Sequence, residues 1–353
     1  MRDAYDPFIR GRFPAGVRTL EALDTARDRL FTYELWYPAD ARHASQDLSP
    51  ETQDVFAVPL LNKARSQFAV RNAAAEPGTY PLVIFSHASG QNRRSSTFLC
   101  THLSSHGYLV AALDHSEVIS ADLARRDDES EEQKAARTEA WIANRVPDAR
   151  FLLDHLLNPA ACGPELQVDP TRIGIVGHSF GGWTALAATE TDRRIRAVVA
   201  LAPAGSSEAK PGILPVRLTF NWDRDVPALY LVAEQDISLP LAGMYELFER
   251  TPATKQMVIL RRADHLHFLD DAEQIHESVR KMRFTGELAW ISKEMRPIAE
   301  LCSGDQAQLF VRGLTLCHMD ARLRHQEDAQ RFLVGDIEGE LAARGVAVVL
   351  HKP

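Results

Sequence analysis

The sequence predicts an α/β protein built on one doubly wound, mostly parallel sheet of about eight strands. Three observations carry that expectation. Short continuous apolar runs alternate with helical patterns along most of the chain. The runs lack the in–out alternation of half-solvated strands, so helices should cover both faces of the sheet, joined by right-handed crossovers. No self-similarity at a period of roughly 20 to 50 residues is visible, which removes solenoids and propellers.

In chain order, residues 17–23 and 31–37 read as two strands, an antiparallel pair. Residues 52–75 interrupt the alternation and are expected to hold a short helix within VFAVPLLNKARSQF. The run 81–86 (PLVIFS) is a buried strand, 95–105 a helix and 108–113 (YLVAAL) the next strand. Residues 117–145 are highly charged (DLARRDDESEEQKAARTEAW) and read as a solvated, mostly helical insertion. A helix over 147–157 then starts with proline in its first turn, where the missing N–H costs nothing. Strands at 172–177 (RIGIVG), 197–201 (AVVAL), 228–232 (ALYLV) and 256–260 (QMVIL) follow, with helices at 179–190 and 241–249 between them. Residues 287–317 and 327–344 are also helical in pattern. The chain, 1–353, is therefore expected to be one domain. It should carry helical insertions near 52–75 and 117–145 and a helical extension over 287–353, one of them lying over the site as a lid.

Forty-eight acidic residues against 40 basic ones leave a net charge of -8 with no basic block. Nothing here attracts nucleic acid or an anionic membrane. The opening MRDAYDPFIRGRFPAGVRTL lacks the apolar run of a secretory signal, and no segment approaches the roughly 20 apolar residues of a span. A cytoplasmic location without an integral membrane segment is expected. Cys100, Cys162, Cys302 and Cys317 form no CxxC pair and should be free thiols, with Cys302–Cys317 the one disulfide left open. No H-E-x-x-H or paired Cys/His spacing occurs, so neither a metal nor a cofactor is expected. Oligomeric state stays open.

The chemistry begins at Gly177-His178-Ser179-Phe180-Gly181-Gly182. This is G-x-S-x-G, running from an apolar strand into a helix, the context of the nucleophile elbow of an α/β-hydrolase fold. A serine on so tight a turn holds its hydroxyl above the sheet, and glycines on either side let strand and helix approach. A phosphate-binding turn is the competing reading, but no G-x-x-x-x-G-K-[ST] or G-x-G-x-x-G pattern accompanies it.

Such a fold orders its triad serine, acid, histidine along the chain. ALYLVAEQD supplies Asp236 just past a strand, with Glu234 as its rival. Asp223 and Asp225 precede that strand and sit at the wrong edge. QMVILRRADHLHF offers His265, with His267 as rival, and Phe268 is placed to pack beneath the base. His102, His106, His155 and His276 fall on helical patterns and are given structural roles. An oxyanion needs two positioned donors. The N–H of Phe180 is one, and the N–H of Ser89, with Ala88 as the alternative, is the other. His87 should shape that loop rather than move protons.

FSHASG, GHSFGG, VAEQD and ADHLHF together resemble the dienelactone-hydrolase-like α/β hydrolases, most closely the branch containing the platelet-activating factor acetylhydrolases. That branch carries F-S-H-G-x-G, G-H-S-F-G-G and a base in H-x-x-F, matched here by His265 and Phe268. GRFPAGVRTLEALD and YELWYPA are also similar, so the resemblance runs from about residue 11 to the last helix. It departs at Ala88-Ser89, where the branch has glycine and an apolar residue. It departs again at LAPAG, where the acetylhydrolases have their acid and this chain has no carboxylate. The second departure weakens any expectation of an acetylated phospholipid substrate.

Together these features predict a serine esterase that cleaves a small carboxylic ester through an acyl-enzyme. Amide or peptide hydrolysis by the same triad stays open. A non-catalytic binding protein on this fold is the rival from another class, and the intact triad argues against it.

Overall fold

The computed structural model describes residues 5–126, 128–207 and 210–352, so Asp127 of the expected insertion and the outermost residues of both termini lie outside the described residues. The strands are β1 (Ala15–Asp24), β2 (Arg29–Pro38), β3 (Asp54–Val58), β4 (Lys63–Gln67), β5 (Val70–Arg71), β6 (Gly78–Ser86), β7 (Leu109–Leu113), β8 (Leu166–His178), β9 (Ile195–Leu201), β10 (Ala228–Ala233), β11 (Lys255–Leu260) and β12 (Val348–His351). The helices are α1 (Thr97–Ser105), α2 (Ser116–Ile119), α3 (Glu131–Leu156), α4 (Phe180–Thr191), α5 (Leu241–Arg250), α6 (Ala272–Lys281), α7 (Ile291–Glu294), α8 (Gly304–Leu323), α9 (Glu327–Val334) and α10 (Ile337–Ala342).

Ten strands form one sheet in the order β12-β11-β10-β9-β8-β6-β7-β2-β1-β5. Six of its pairings are parallel; three, at or near the edges, are antiparallel. All eight expected strands are present. The two extra ones, β5 and β12, are the outermost. Successive side chains of a strand point to opposite faces, and the core divides accordingly. Leu82, Ile84, Ile173, Ile175, Tyr230 and Val232 pack with Leu152 and Leu153 of α3, Leu186 of α4 and Leu247 of α5. Val83, Phe85, Val176, Val199, Leu229 and Leu231 pack with Leu99 and Leu103 of α1 and Phe310 and Leu314 of α8. Each such side chain, fully buried, contributes about 1.5–3 kcal/mol. The approach of α8 depends on Gly174, where a Cβ would lie 2.6 Å from Met319 Sδ.

The insertions differ from expectation. Residues 52–75 hold no α-helix: β3 and β4 form a separate antiparallel hairpin. In β3 Asp54 and Phe56 are buried and Val55 and Ala57 exposed, the period of two that a strand imposes. Asn62, at φ 48°, makes the tight turn that a helix would not allow. The charged insertion and the following helix are not separate either. From Glu131 to Leu156 they form α3, with Pro147 inside it. The ring removes only the N–H that would bond to the carbonyl of Ala143, and the buried face over Trp141, Ala149, Leu152, Leu153 and Leu156 carries the helix across. The C-terminal extension breaks at Gly335. Asp336 Oδ1 accepts from the N–H of Gly339 at 2.8 Å to start α10, and the chain ends on β12 rather than on a helix. All four cysteines are free and buried, so the Cys302–Cys317 bond is not formed. No helix among the described residues is long and apolar enough to cross a membrane.

Candidate active site

β6, β8, β10 and β11 run parallel within one stretch of the sheet, so the loops leaving them emerge on the same side. Open α/β sheets gather their sites at that edge. Ser179 follows β8 with φ 58° and ψ −116°, a conformation costing a side-chain-bearing residue about 1–3 kcal/mol. Its N–H donates to the carbonyl of Leu201 at 2.9 Å, and its carbonyl accepts from the N–H groups of Trp183 and Ala204, both at 3.0 Å. The glycines around it have little freedom to change. A Cβ on Gly177 would lie 2.0 Å from the carbonyl oxygen of Gly181, and one on Gly181 would lie 2.0 Å from that of Ser86.

Asp236 leaves β10 and is buried. Its Oδ1 accepts from the N–H groups of Ser238 at 2.9 Å and Leu239 at 2.8 Å. Its Oδ2 lies 2.7 Å from Nδ1 of His265. Burial pushes the His265 pKa down, but the Asp236 carboxylate outweighs it and holds the ring above the ordinary histidine value. No hydrogen bond joins the Ser179 hydroxyl to His265 among the described residues. His178, which precedes Ser179 in the chain, has its ring centroid 4.7 Å from that of His265 and 5.3 Å from that of Phe268. Phe268 and His265 thus both lie against the ring of His178. Burial first, and then the neighbouring imidazole, keeps His178 far below its usual pKa, so a neutral ring underlies His265.

The rivals have other work. Glu234 accepts from the N–H of Arg262 at 2.9 Å and pairs with Arg261 at 2.8 Å, tying down the exit of β11. His267 is buried, its Nδ1 2.7 Å from Asp264 Oδ1 and its Nε2 donating to the carbonyl of Cys302 at 3.1 Å. Burial opposes its charge, but Asp264 and the Cys302 side chain raise it to about 10. His276 Nδ1 lies 2.5 Å from the other oxygen of Asp264. Two imidazole rings thus share one carboxylate behind the loop that presents His265. His102, His106 and His155 bond to Pro7, Ile9 and Tyr33 respectively, consistent with structural roles.

The loop after β6 carries Ala88 and Ser89. His87 is buried and shapes it: Nδ1 donates to the carbonyl of Ala88 at 2.8 Å, while Nε2 accepts from the N–H of His115 at 3.2 Å. Beneath lies a buried polar network that sequence reasoning missed. Arg145 donates through Nη1 to the carbonyl of His87 at 2.6 Å, and its Nη2 lies 3.5 Å from that of Ala88. Its counter-ion is Glu117. Asp148 lies 3.2 Å from Nδ1 of His115, whose Nε2 is 2.8 Å from Ser86 Oγ. Three of these residues belong to the stretch read as a solvated surface helix and the start of the helix after it. Residues 131–140 of α3 are indeed largely exposed. Trp141 with Arg145 four residues on, the first sign of a buried face, was the available signal.

A cavity of about 410 Å³ opens beside this loop. Gly90, Gln91, Asn92 and Ser95 line one side, Asp270 and Ile275 another, and Phe56, Val58, Glu117 and Trp141 the rest. Both insertions therefore wall it. The hairpin is pinned across it by Arg65, 3.1 Å from Asp270 and from Asp271.

Comparison with known proteins agrees with this architecture. The profile of the Chlorophyllase family matches residues 61–231. The platelet-activating factor acetylhydrolase of Gallus gallus is 28% identical over 216 residues, covering 48% of this chain and 51% of that protein. The chain is an α/β hydrolase related to the platelet-activating factor acetylhydrolases. It spans between about a third and a half of the length of the acetylhydrolases it matches. Cutinase 1 of Thermobifida cellulosilytica is 23% identical over 237 residues, 67% of this chain and 78% of that one. A ferulic acid esterase from Streptomyces cinnamoneus superposes with a TM-score of 0.61 at 26% identity, covering 89% of this chain and 92% of its own. The relatives of this α/β hydrolase thus bear the names of ester-cleaving enzymes.

Proposed function

We propose that this α/β hydrolase is a serine esterase with Ser179 as nucleophile, His265 as base and Asp236 as the acid that orients it. The observation that carries the reading is the 2.7 Å contact between Asp236 and His265, at the sheet edge where Ser179 stands in a strained turn. In this mechanism His265 Nε2 takes the Ser179 proton as the oxygen attacks the ester carbonyl, then delivers it to the leaving alcohol. Asp236 holds the proton of Nδ1 and stabilises the imidazolium. The N–H groups of Phe180 and Ser89 would receive the developing oxyanion, each removal costing about 10²–10³ in kcat. Water then repeats the cycle on the acyl-enzyme. No metal or cofactor takes part in this scheme.

The cavity bears on the substrate. Arg65 is already paired with Asp270 and Asp271, Arg94 with Glu34, and Glu117 with Arg145. Among the described residues Ser95 Oγ is buried there without a partner. Arg125, stacked on Trp141 at 5.3 Å, also lines the cavity, whose walls of aromatic and aliphatic carbon suit a bulky ester bearing a hydrogen-bonding group. The test is Ser179→Ala on p-nitrophenyl acetate. Activity should fall to background, and full retained activity would overturn the assignment. A matched panel of esters and amides then separates the two leaving groups.

A further inference from the structure

We propose that Arg145, held in place by Glu117, is a positioning residue that aims both halves of the oxyanion hole. The inference rests on the esterase reading. Its first support is peptide planarity. The carbonyl of His87 shares a rigid trans unit with the N–H of Ala88, and the carbonyl of Ala88 shares one with the N–H of Ser89. In a trans peptide the two groups point in opposite directions, and no cis bond occurs among the described residues. A cation that grips the carbonyls from the buried side therefore turns the N–H groups outward, toward the site. Arg145 does this at 2.6 and 3.5 Å. The Ala88 carbonyl is held more closely by His87 Nδ1 at 2.8 Å and by the N–H of Gln91 at 3.2 Å, so Arg145 acts there together with them and most directly on the His87 carbonyl.

The second support is on the other donor. The guanidinium carbon of Arg145 lies 4.2 Å from the centroid of the Phe180 ring. One side chain thus touches the residue after the nucleophile and the loop opposite it. Only arginine can do this, because its planar fork bonds several acceptors while its face lies on a ring. A positive charge on the carbonyls also polarises the two peptides and makes their N–H groups better donors. Glu117 makes the arrangement tolerable. Arg145 has no exposed surface, and a buried cation without its counter-ion costs several kcal/mol.

Three variants test it: Arg145→Lys, which keeps the charge and loses the fork, and Arg145→Met alone and combined with Glu117→Gln. The double variant leaves no unpaired buried charge. The readouts are kcat and KM on p-nitrophenyl acetate, the affinity of a trifluoromethyl ketone and the thermal midpoint. The ketone adduct places its oxyanion in the hole. The lysine variant should lose about 10–100-fold in kcat and the double variant about 10²–10³-fold, with KM within threefold. Ketone affinity should fall in step. A structural role alone would lower the thermal midpoint while leaving kcat and ketone affinity at wild-type values in the folded variants, and that result overturns the proposal. If the wild type binds no ketone and Ser179→Ala is as active as wild type, the esterase reading fails and this proposal fails with it.

Discussion

Asp236→Asn is the most informative single change, because the structure dictates how the new side chain must sit. Asp236 Oδ1 accepts two backbone N–H groups, at 2.9 and 2.8 Å, while Oδ2 faces Nδ1 of His265 at 2.7 Å. In the asparagine only the oxygen can accept, so it must stay with Ser238 and Leu239. The NH2 group then faces Nδ1. Two donors cannot share that contact, so the imidazole must carry its proton on Nε2 instead. In the proposed mechanism Nε2 is the nitrogen that accepts the serine proton. The variant therefore holds the base in the wrong tautomer without disturbing its place. A loss of about 10⁴ in kcat is expected, or about 5 kcal/mol of transition-state stabilisation.

The pH profile supplies an independent sign. Asp236 is what lifts His265 above its ordinary value against burial. Removing the carboxylate leaves burial opposed only by the weaker influence of Asp264, so the acid limb of residual kcat/KM should move to lower pH, not higher. The assay is p-nitrophenyl acetate hydrolysis from pH 5 to 9, with circular dichroism to show that the fold is kept. Glu234→Gln, which breaks only the tie to Arg261 and Arg262, is the control and should retain kcat within about twofold. An asparagine variant with native dichroism and less than a tenfold loss would refute the reasoning.

Three further outcomes follow from particular contacts. Gly181→Ala should cost at least about 3 kcal/mol by urea unfolding, since its Cβ meets backbone oxygens at 2.0 and 2.7 Å; Gly90→Ala, with open space at φ 71°, should cost only about 1 kcal/mol. His267, raised to about 10 from an unfolded value of 6.5, contributes stability that is full below about pH 6.5 and lost as pH rises toward 10. The urea midpoint should fall across that interval, and His267→Gln should flatten the fall. Val118 is exposed and lines the cavity, so Val118→Trp should raise KM for bulky aryl esters about tenfold while p-nitrophenyl acetate is cleaved as before; an equal effect on both esters would put the substrate elsewhere.

The central strands were legible because their evidence is local. PLVIFS, RIGIVG and ALYLV are buried on both faces, and a continuous apolar run states that directly. The edges were not. β5 is two residues long and β12 is four half-buried residues, and each exists as a strand only because a longer neighbour offers its free N–H and C=O groups. The hairpin at 54–67 was misread for a related reason. Its apolar cluster VFAVPLL mixes a period of two with a turn, and over so few residues neither period dominates. Pro147 misled in the opposite direction. It reads as a helix start, yet tertiary packing of α3 exceeds the cost of one lost hydrogen bond.

The site divides along the same line. Ser179, Asp236 and His265 each follow a strong strand, so chain order and strand ends suffice to nominate them, and the structure brings Asp236 and His265 into contact. The supports beneath them have no such marker. Arg145 and Glu117 sit in one of the most charged stretches of the chain, where burial is the least expected fate of a charge. They become visible only when α3 crosses under the loop after β6 and encloses them against Phe180. A cation, a carboxylate and two peptide carbonyls compensate one another there, and no one of them could be buried alone. Because their partners come from segments far apart in the chain, a local reading of sequence finds groups that could react with substrate more readily than groups that hold them still.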